Sequence, residues 1–341
     1  MVIAPSGPTG ASTRERVDRW LQRLELPATR RYYLEAADAR PRTLLRHPVS
    51  TLAAEYRLRS RDRAMRDTVL LLHREATPLS RGQVEKRLLR RAARGIYDID
   101  DALHRDLQGS RLRRWFRTPD KYRGMAAAAD LVMAGSAVMA DWASQYCNSV
   151  LVMPTCIDPD EYEQKTTYSL ADPPVIGWIG TLSGVRYLEA VADQLLAVHV
   201  ATGARLEIVS SLVEPPPALA PMATVVPWSL PVARRHLATW DLGIMPLPDE
   251  PFQYGKSAYK LLQYCAVGLP SVATPYGANV DILRRAGWAA PERDSDWCDA
   301  LCSLLAMSTE ARRELGMRGK AVAADYTFDR WQAVWKKAVL G

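Results

Sequence analysis

The sequence predicts an α/β protein of two domains, each built on a doubly wound parallel sheet. Three observations carry this expectation. The chain has 341 residues, more than one hydrophobic core usually supports, so about two domains of roughly 150 residues each are expected. Short apolar runs such as 68–72, 175–179 and 205–210 alternate with stretches of helical periodicity. The densest stretch, 241–279, is a complete βαβ unit. A buried strand at 242–245 is closed by Pro246 and Pro248. A helix at 257–267 is stopped by Gly268 and Pro270, and a strand at 271–273 runs into the turn Gly277-Ala278-Asn279. The loops of such a unit gather at one edge of a parallel sheet, which is where ligands bind.

The same stretch carries a recognisable pattern: D-x-G-I-x-P-L-x-D, then G-K-x-x-x-K-x-x-Q-Y-x-A-x-G-x-P, then P-x-G-x-N. It resembles the donor-binding half of GT-B glycosyltransferases and is most similar to the retaining family 4 branch, the glycosyl transferases group 1. The resemblance implies two Rossmann-like domains with parallel sheets facing a central cleft, and a C-terminal helix crossing back. Residues 1–165 would be the acceptor side, 174–327 the nucleotide-sugar side and 328–341 the bracing helix. It further implies a metal-independent hexosyltransferase that moves sugar from a UDP-, dTDP- or GDP-sugar to a hydroxyl acceptor with retention. Two acceptors fit: a small natural product such as an antibiotic precursor, or a lipid-linked or polysaccharide acceptor at a membrane surface. Many members of that branch carry two glutamates eight positions apart; here Gly255 and Gln263 stand in their places, with Lys256 and Lys260 alongside. The missing acids keep a non-catalytic binding protein open as an alternative.

Composition bounds the remaining possibilities. Hydrophobic residues make up 48% of the chain, yet no run approaches the roughly 20 apolar residues of a membrane span. Residues 1–10 have neither the basic lead nor the apolar core of a signal peptide. Five scattered cysteines, Cys147, Cys156, Cys265, Cys298 and Cys302, with no histidine spaced for zinc, suggest thiols in a reducing cytoplasm. Residues 1–125 hold 28 Lys plus Arg against 15 Asp plus Glu, a net +13, while the remainder nets −6. So basic a first half fits either an anionic partner or a solvated surface. Residues 28–66 are expected to be helical, with Leu44, Leu45, Val49, Leu52 and Ala53 on one face among Arg42, Arg46, Arg57, Arg59, Arg61 and Arg63. Such a segment is either a peripheral contact with anionic lipid at the inner membrane face or a surface helix packed by its leucines.

Candidate site residues follow in chain order. A strand at 2–4 leads through a Gly/Pro loop to a helix from about residue 13, so that Gly10, Ser12, Arg14 and Arg16 lie near a helix N-terminus suited to anions. The resemblance places this loop toward the donor. His73 lies just past a buried strand, positioned either for proton transfer or for capping. The segment 95–104 carries Asp98, Asp100, Asp101 and His104. Its aspartates fit a Mg²⁺ site, helix caps, or a phosphatase-like Asp98/Asp100 pair. The resemblance favours acceptor or sugar contact by Asp100, Asp101 and His104. In the second domain, Gly180 and Thr181 offer backbone N–H groups at a strand-to-helix turn. The resemblance adds Arg186 as a phosphate partner, with Lys256 sharing the charge of the leaving diphosphate. Trp228 is placed to stack on a base or to pack in the core. Lys260, Gln263, Gly277, Ala278 and Asn279 complete the expected donor contacts.

Overall fold

A computed structural model describes residues 1–34, 41–60, 65–106, 111–116 and 118–341. The chain forms two parallel sheets. The first is β1 (Val2–Ser6), β2 (Arg30–Leu34), β3 (Val69–His73), β4 (Arg94–Ile99), β5 (Leu131–Ala134) and β6 (Val150–Val152), in the order β2-β1-β3-β4-β5-β6. The second is β7 (Val175–Ile179), β8 (Arg205–Ser210), β9 (Ala223–Pro227), β10 (Leu242–Met245) and β11 (Ser271–Ala273), in the order β11-β10-β7-β8-β9. Every pairing between neighbouring strands is parallel. The chain divides into two compact units: Met1–Cys156 with Tyr254–Ser257 and Phe328–Gly341, and Ile157–Gln253 with Ala258–Thr327.

In the first unit, side chains from both ends of the chain share one core. Val2, Leu71, Ile96 and Met133 from the sheet meet Trp20 and the C-terminal helix Phe328–Leu340. Trp20 stacks on Trp335 with ring centroids 5.5 Å apart and meets the Phe328 ring edge-on at 4.8 Å. Such aromatic pairs add about 0.5–1.5 kcal/mol each beyond their burial. In the second unit the sheet is buried on both faces. Ile176, Ile208 and Ile244 pack with Leu188, Leu195, Trp297 and Leu301, while Ile179, Val209 and Met245 pack with Trp240, Tyr264 and Leu261. Gly177 in β7 is required by close approach, because a Cβ there would lie 1.8 Å from the Trp240 ring.

Three boundaries differ from the sequence expectation. Residues 28–66 are not one helical stretch, since Arg30–Leu34 is a strand running parallel to β1. Tyr32 and Tyr33 suit a pleated strand, and Tyr33 and Leu34 are buried. Helices Pro41–Arg46 and Pro48–Ser60 follow; Arg61, Arg63 and the Arg42 side chain lie outside the described residues. The helix expected from residue 257 starts at Tyr259, because Ala258 is left-handed at φ 57°. The helix expected from about residue 13 begins at Ala11.

The strand order locates two places of interest. A doubly wound sheet opens a crevice at the carboxyl ends of the two strands where the order reverses. In the first unit these are β1 and β3, and in the second β7 and β10.

Candidate functional site

At the first of these positions, β1 leads through Gly10 into a helix that begins at Ala11 and passes through a π-helical stretch, Arg14–Asp18. Gly10 is buried; its N–H bonds to Gly7 and its carbonyl accepts from Arg14. The Ser12 hydroxyl lies 2.8 Å from His73 Nε2 at the end of β3 and also donates to Asp100. His73 Nδ1 is 2.6 Å from Asp98 Oδ2. Arg16, buried with Asp98, grips that carboxylate through Nε at 3.3 Å and through Nη2, and gives Nη1 to the Met153 carbonyl. Ser12 thus bridges His73 Nε2 and the Asp100 carboxylate, and the other His73 ring nitrogen faces Asp98.

Outside this inner layer, Arg74 donates to Asp100 at 2.6 and 2.9 Å and to Asp101 at 2.6 Å. Arg74 is left-handed at φ 60°, a conformation that costs a residue with a Cβ about 1–2 kcal/mol and is held here by those ion pairs. Lys256 Nζ lies 3.6 Å from the other oxygen of Asp101. Burial alone would raise the Asp98 carboxyl, but the Arg16 guanidinium and the His73 hydrogen bond bring it below the ordinary value. Asp100 is also lowered against burial, by Arg74 and then His73.

These contacts re-sort the sequence candidates. Ser12, Asp100, Asp101, His73 and Lys256 come together; His104 does not. His104 stacks on Trp142 at 4.1 Å, and neither ring nitrogen has a hydrogen-bond partner. Burial, then Arg105 and Arg123, lower it to about 4. His73 is wholly enclosed rather than presented past a strand end, so any effect on a substrate passes through Ser12. Arg14 is engaged with its neighbour Glu15 at 2.8 Å. The residue that the sequence underrated is Asp98. Its buried partner Arg16 lies 82 positions away, and the only local signal was an aspartate inside an apolar strand. Among the described residues, no group of three or more His, Cys, Asp or Glu side chains is arranged to hold a metal ion.

The second position, at β7 and β10, is more open. Gly180 does not offer a free backbone donor, because its N–H bonds to the Val209 carbonyl at 3.1 Å. Its lack of a side chain is required by Trp178, whose ring would lie 2.3 Å from a Cβ. Thr181 is exposed, with its hydroxyl 3.0 Å from Ser183. Arg186 is 40% exposed and donates to Glu250 at 3.1 Å and to the Tyr187 hydroxyl at 3.2 Å. Gln253 braces Tyr187 from below at 2.9 Å, so this arginine stands on a supported platform. Lys260 lies over the Trp178 ring at 5.2 Å.

The remaining donor candidates divide in the same way. Gln263 turns inward to the Tyr162 hydroxyl at 3.2 Å, so the second expected acid position is a core position here. At the first, Gly255, a Cβ would lie 2.4 Å from that of Ala102 and 2.8 Å from its backbone nitrogen. The absent acidic pair therefore has a steric cause at one position and a packing cause at the other. Gly277 is left-handed at φ 58° and Ala278 partly exposed, while buried Asn279 pins the turn by donating to the Thr274 carbonyl at 2.9 Å. Trp228 at the end of β9 is 40% exposed, as a stacking surface requires.

Residues 173–307 match the family described as glycosyl transferases group 1. Comparison with curated protein sequences finds no match. Among solved structures, Anabaena HepE in complex with UDP-glucose has a TM-score of 0.71 at 15% identity, over 99% of this chain and 98% of that one. TarM gives 0.60 at 10% identity over 84% of this chain, which spans 58% of TarM's length. The trehalose-phosphate synthase (UDP-forming) of Burkholderia vietnamiensis gives 0.56 at 12% identity, over 84% and 72%. Both parallel sheets thus belong to a GT-B fold, and the match to the group 1 glycosyl transferases falls on residues 173–307.

Proposed function

We propose that this protein is a metal-independent glycosyltransferase that moves a sugar, with retention, from a nucleotide-diphosphate sugar to an acceptor hydroxyl. The single observation behind the reading is that the glycosyl transferase domain match spans the β7/β10 reversal, where Arg186 stands on Tyr187 and Gln253. UDP is the favoured nucleotide, because the HepE structure is a complex with UDP-glucose.

In this scheme the second unit holds the donor. Arg186 meets the diphosphate as charge builds on it, Thr181, Lys260, Gly277, Ala278 and Asn279 surround the remainder, and Trp228 stacks on the base. The first unit binds the acceptor alcohol at Ser12, Asp101, Arg74 and Lys256, while His73, Asp98 and Arg16 hold Ser12 in place. As the bond from the anomeric carbon to the diphosphate oxygen breaks, the acceptor oxygen bonds to that carbon on the same face. The acceptor proton passes to the departing phosphate oxygen. Of the two acceptor classes, the lipid-linked or polysaccharide one is favoured over the small natural product by the exposed apolar helix face described below.

Titration with UDP-, dTDP- and GDP-sugars, with transfer assayed alongside in chelator and the product's anomeric configuration read by NMR, tests the scheme. Binding without turnover would support the non-catalytic alternative. Chelator-sensitive phosphate release that survives Lys256→Ala would support the Asp98/Asp100 phosphatase.

A further inference from the structure

We propose that the helix pair Pro41–Arg46 and Pro48–Ser60 is a docking surface for an anionic phospholipid bilayer, inserting Leu45, Val49, Leu52 and Tyr56. These four side chains are 79%, 79%, 71% and 74% exposed. Val49, Leu52 and Tyr56, at i, i+3 and i+7, share one face of the helix Pro48–Ser60. Leu45 precedes them in the helix Pro41–Arg46, which closes where His47 N–H bonds to Thr43 and Leu44. Scattered apolar side chains on a surface need no explanation, but three in register on one helix face with a fourth just before them form a patch.

The opposite face is already used. Leu44, Ala54 and Leu58 pack on Tyr33 and Leu34, and Glu55 accepts from the Tyr33 hydroxyl at 3.0 Å and from Thr77. The inward face thus secures the helices to the sheet, and the outward apolar row is surplus to folding. The sequence expectation is corrected here: Leu44 belongs to the protein side, and Tyr56 takes its place on the outside.

Charge selects the occupant. Within 41–60 the basic residues are Arg42, Arg46, Arg57 and Arg59 and the one acid is Glu55. Glu55 is paired with Arg59 at 3.0 Å. An apolar row flanked by exposed Arg46 and Arg57, with its only carboxylate neutralised, is complementary to a surface that is anionic outside and apolar beneath. Tyr56, amphipathic at the end of the row, suits the headgroup level. Among the described residues no helix is long and apolar enough to cross a membrane, so the contact is peripheral. It stands whether or not the protein transfers sugar.

The test is sedimentation of the full chain with sucrose-loaded vesicles, either pure phosphatidylcholine or with one third phosphatidylglycerol. The wild type should sediment with the anionic vesicles and lose that binding as salt is raised. Val49→Ser/Leu52→Ser should reduce partitioning by about tenfold or more with an unchanged melting curve. Leu45→Ser is the fallback if the double variant misfolds, and Arg57→Gln should weaken anionic binding alone. Equal binding to both vesicle types, or wild-type-like binding by the serine variants, overturns the proposal. So does a wild-type dimer that Val49→Ser/Leu52→Ser converts to monomer, which assigns the face to a second copy of the chain.

Discussion

The two sheets reverse their strand order in equivalent places and treat charge there in opposite ways. At β1/β3 the Arg16–Asp98 pair is sunk into the protein, and Arg74 with Asp100 and Asp101, and Lys256 with Asp101, pair in a partly buried layer over it. At β7/β10 the ion pair is Arg186 with Glu250, its two side chains 40% and 33% exposed. Topology fixes where a site lies, but burial decides what the charges there can do. Ions sealed in the first unit are costly to disturb and hold a geometry, whereas an exposed arginine pair costs little to redirect.

The largest expected effect comes from breaking the sealed half. Asp98→Asn leaves Arg16 without its paired carboxylate and should cost about 3–5 kcal/mol by urea denaturation. A loss below 1 kcal/mol would mean the cluster is not balanced as described. Because Asp98 and Asp100 titrate lower when folded than unfolded, their contribution is complete above the unfolded carboxylate value of about 4 and is lost as pH falls through the folded values. Acid unfolding should therefore begin in the first unit, and its pH slope should flatten in Asp98→Asn.

Next in size, Gly255→Glu restores an acid that the resemblance expects but drives it into Ala102. A cost of about 1–3 kcal/mol with no gain in transfer is expected; a stable, faster variant would refute the steric account. His104→Phe keeps the stack on Trp142 while removing a titration. The imidazole is lowered from 6.5 to about 4 by burial, so the unfolded chain binds the extra proton in that window, and wild-type stability should fall as pH drops from 6.5 toward 4. Melting temperatures of the Phe variant should be flatter across that range. The smallest stability effect belongs to the open half. Arg186→Ala should change stability by less than about 1 kcal/mol while weakening UDP-sugar binding about tenfold or more by calorimetry. An unchanged affinity would remove Arg186 from the donor site.

Much of this was legible in the sequence. Apolar runs closed by Gly or Pro marked β7, β10 and β11, since a strand buried on both faces leaves that trace without help from distant residues. The cluster around Asp100 and Asp101 was legible as carboxylates past a strand end. What was hidden depended on partners remote in the chain. Gln263 finds Tyr162 101 positions away, and the Gly180 N–H finds Val209 across the sheet. β2 was concealed by Arg30 and Arg31, whose long stems suit a surface helix equally well until Tyr33 and Leu34 are seen to be buried.

The close approach of Gly255 to Ala102 also bears on redesign. Its tightest neighbours include the backbone nitrogen and Cα of residue 102, at 2.8 and 3.0 Å, so trimming Ala102 to glycine would not open the space. Any variant that is to carry a side chain at 255 needs a shift of the main chain around 102 as well, so the two segments have to be redesigned together.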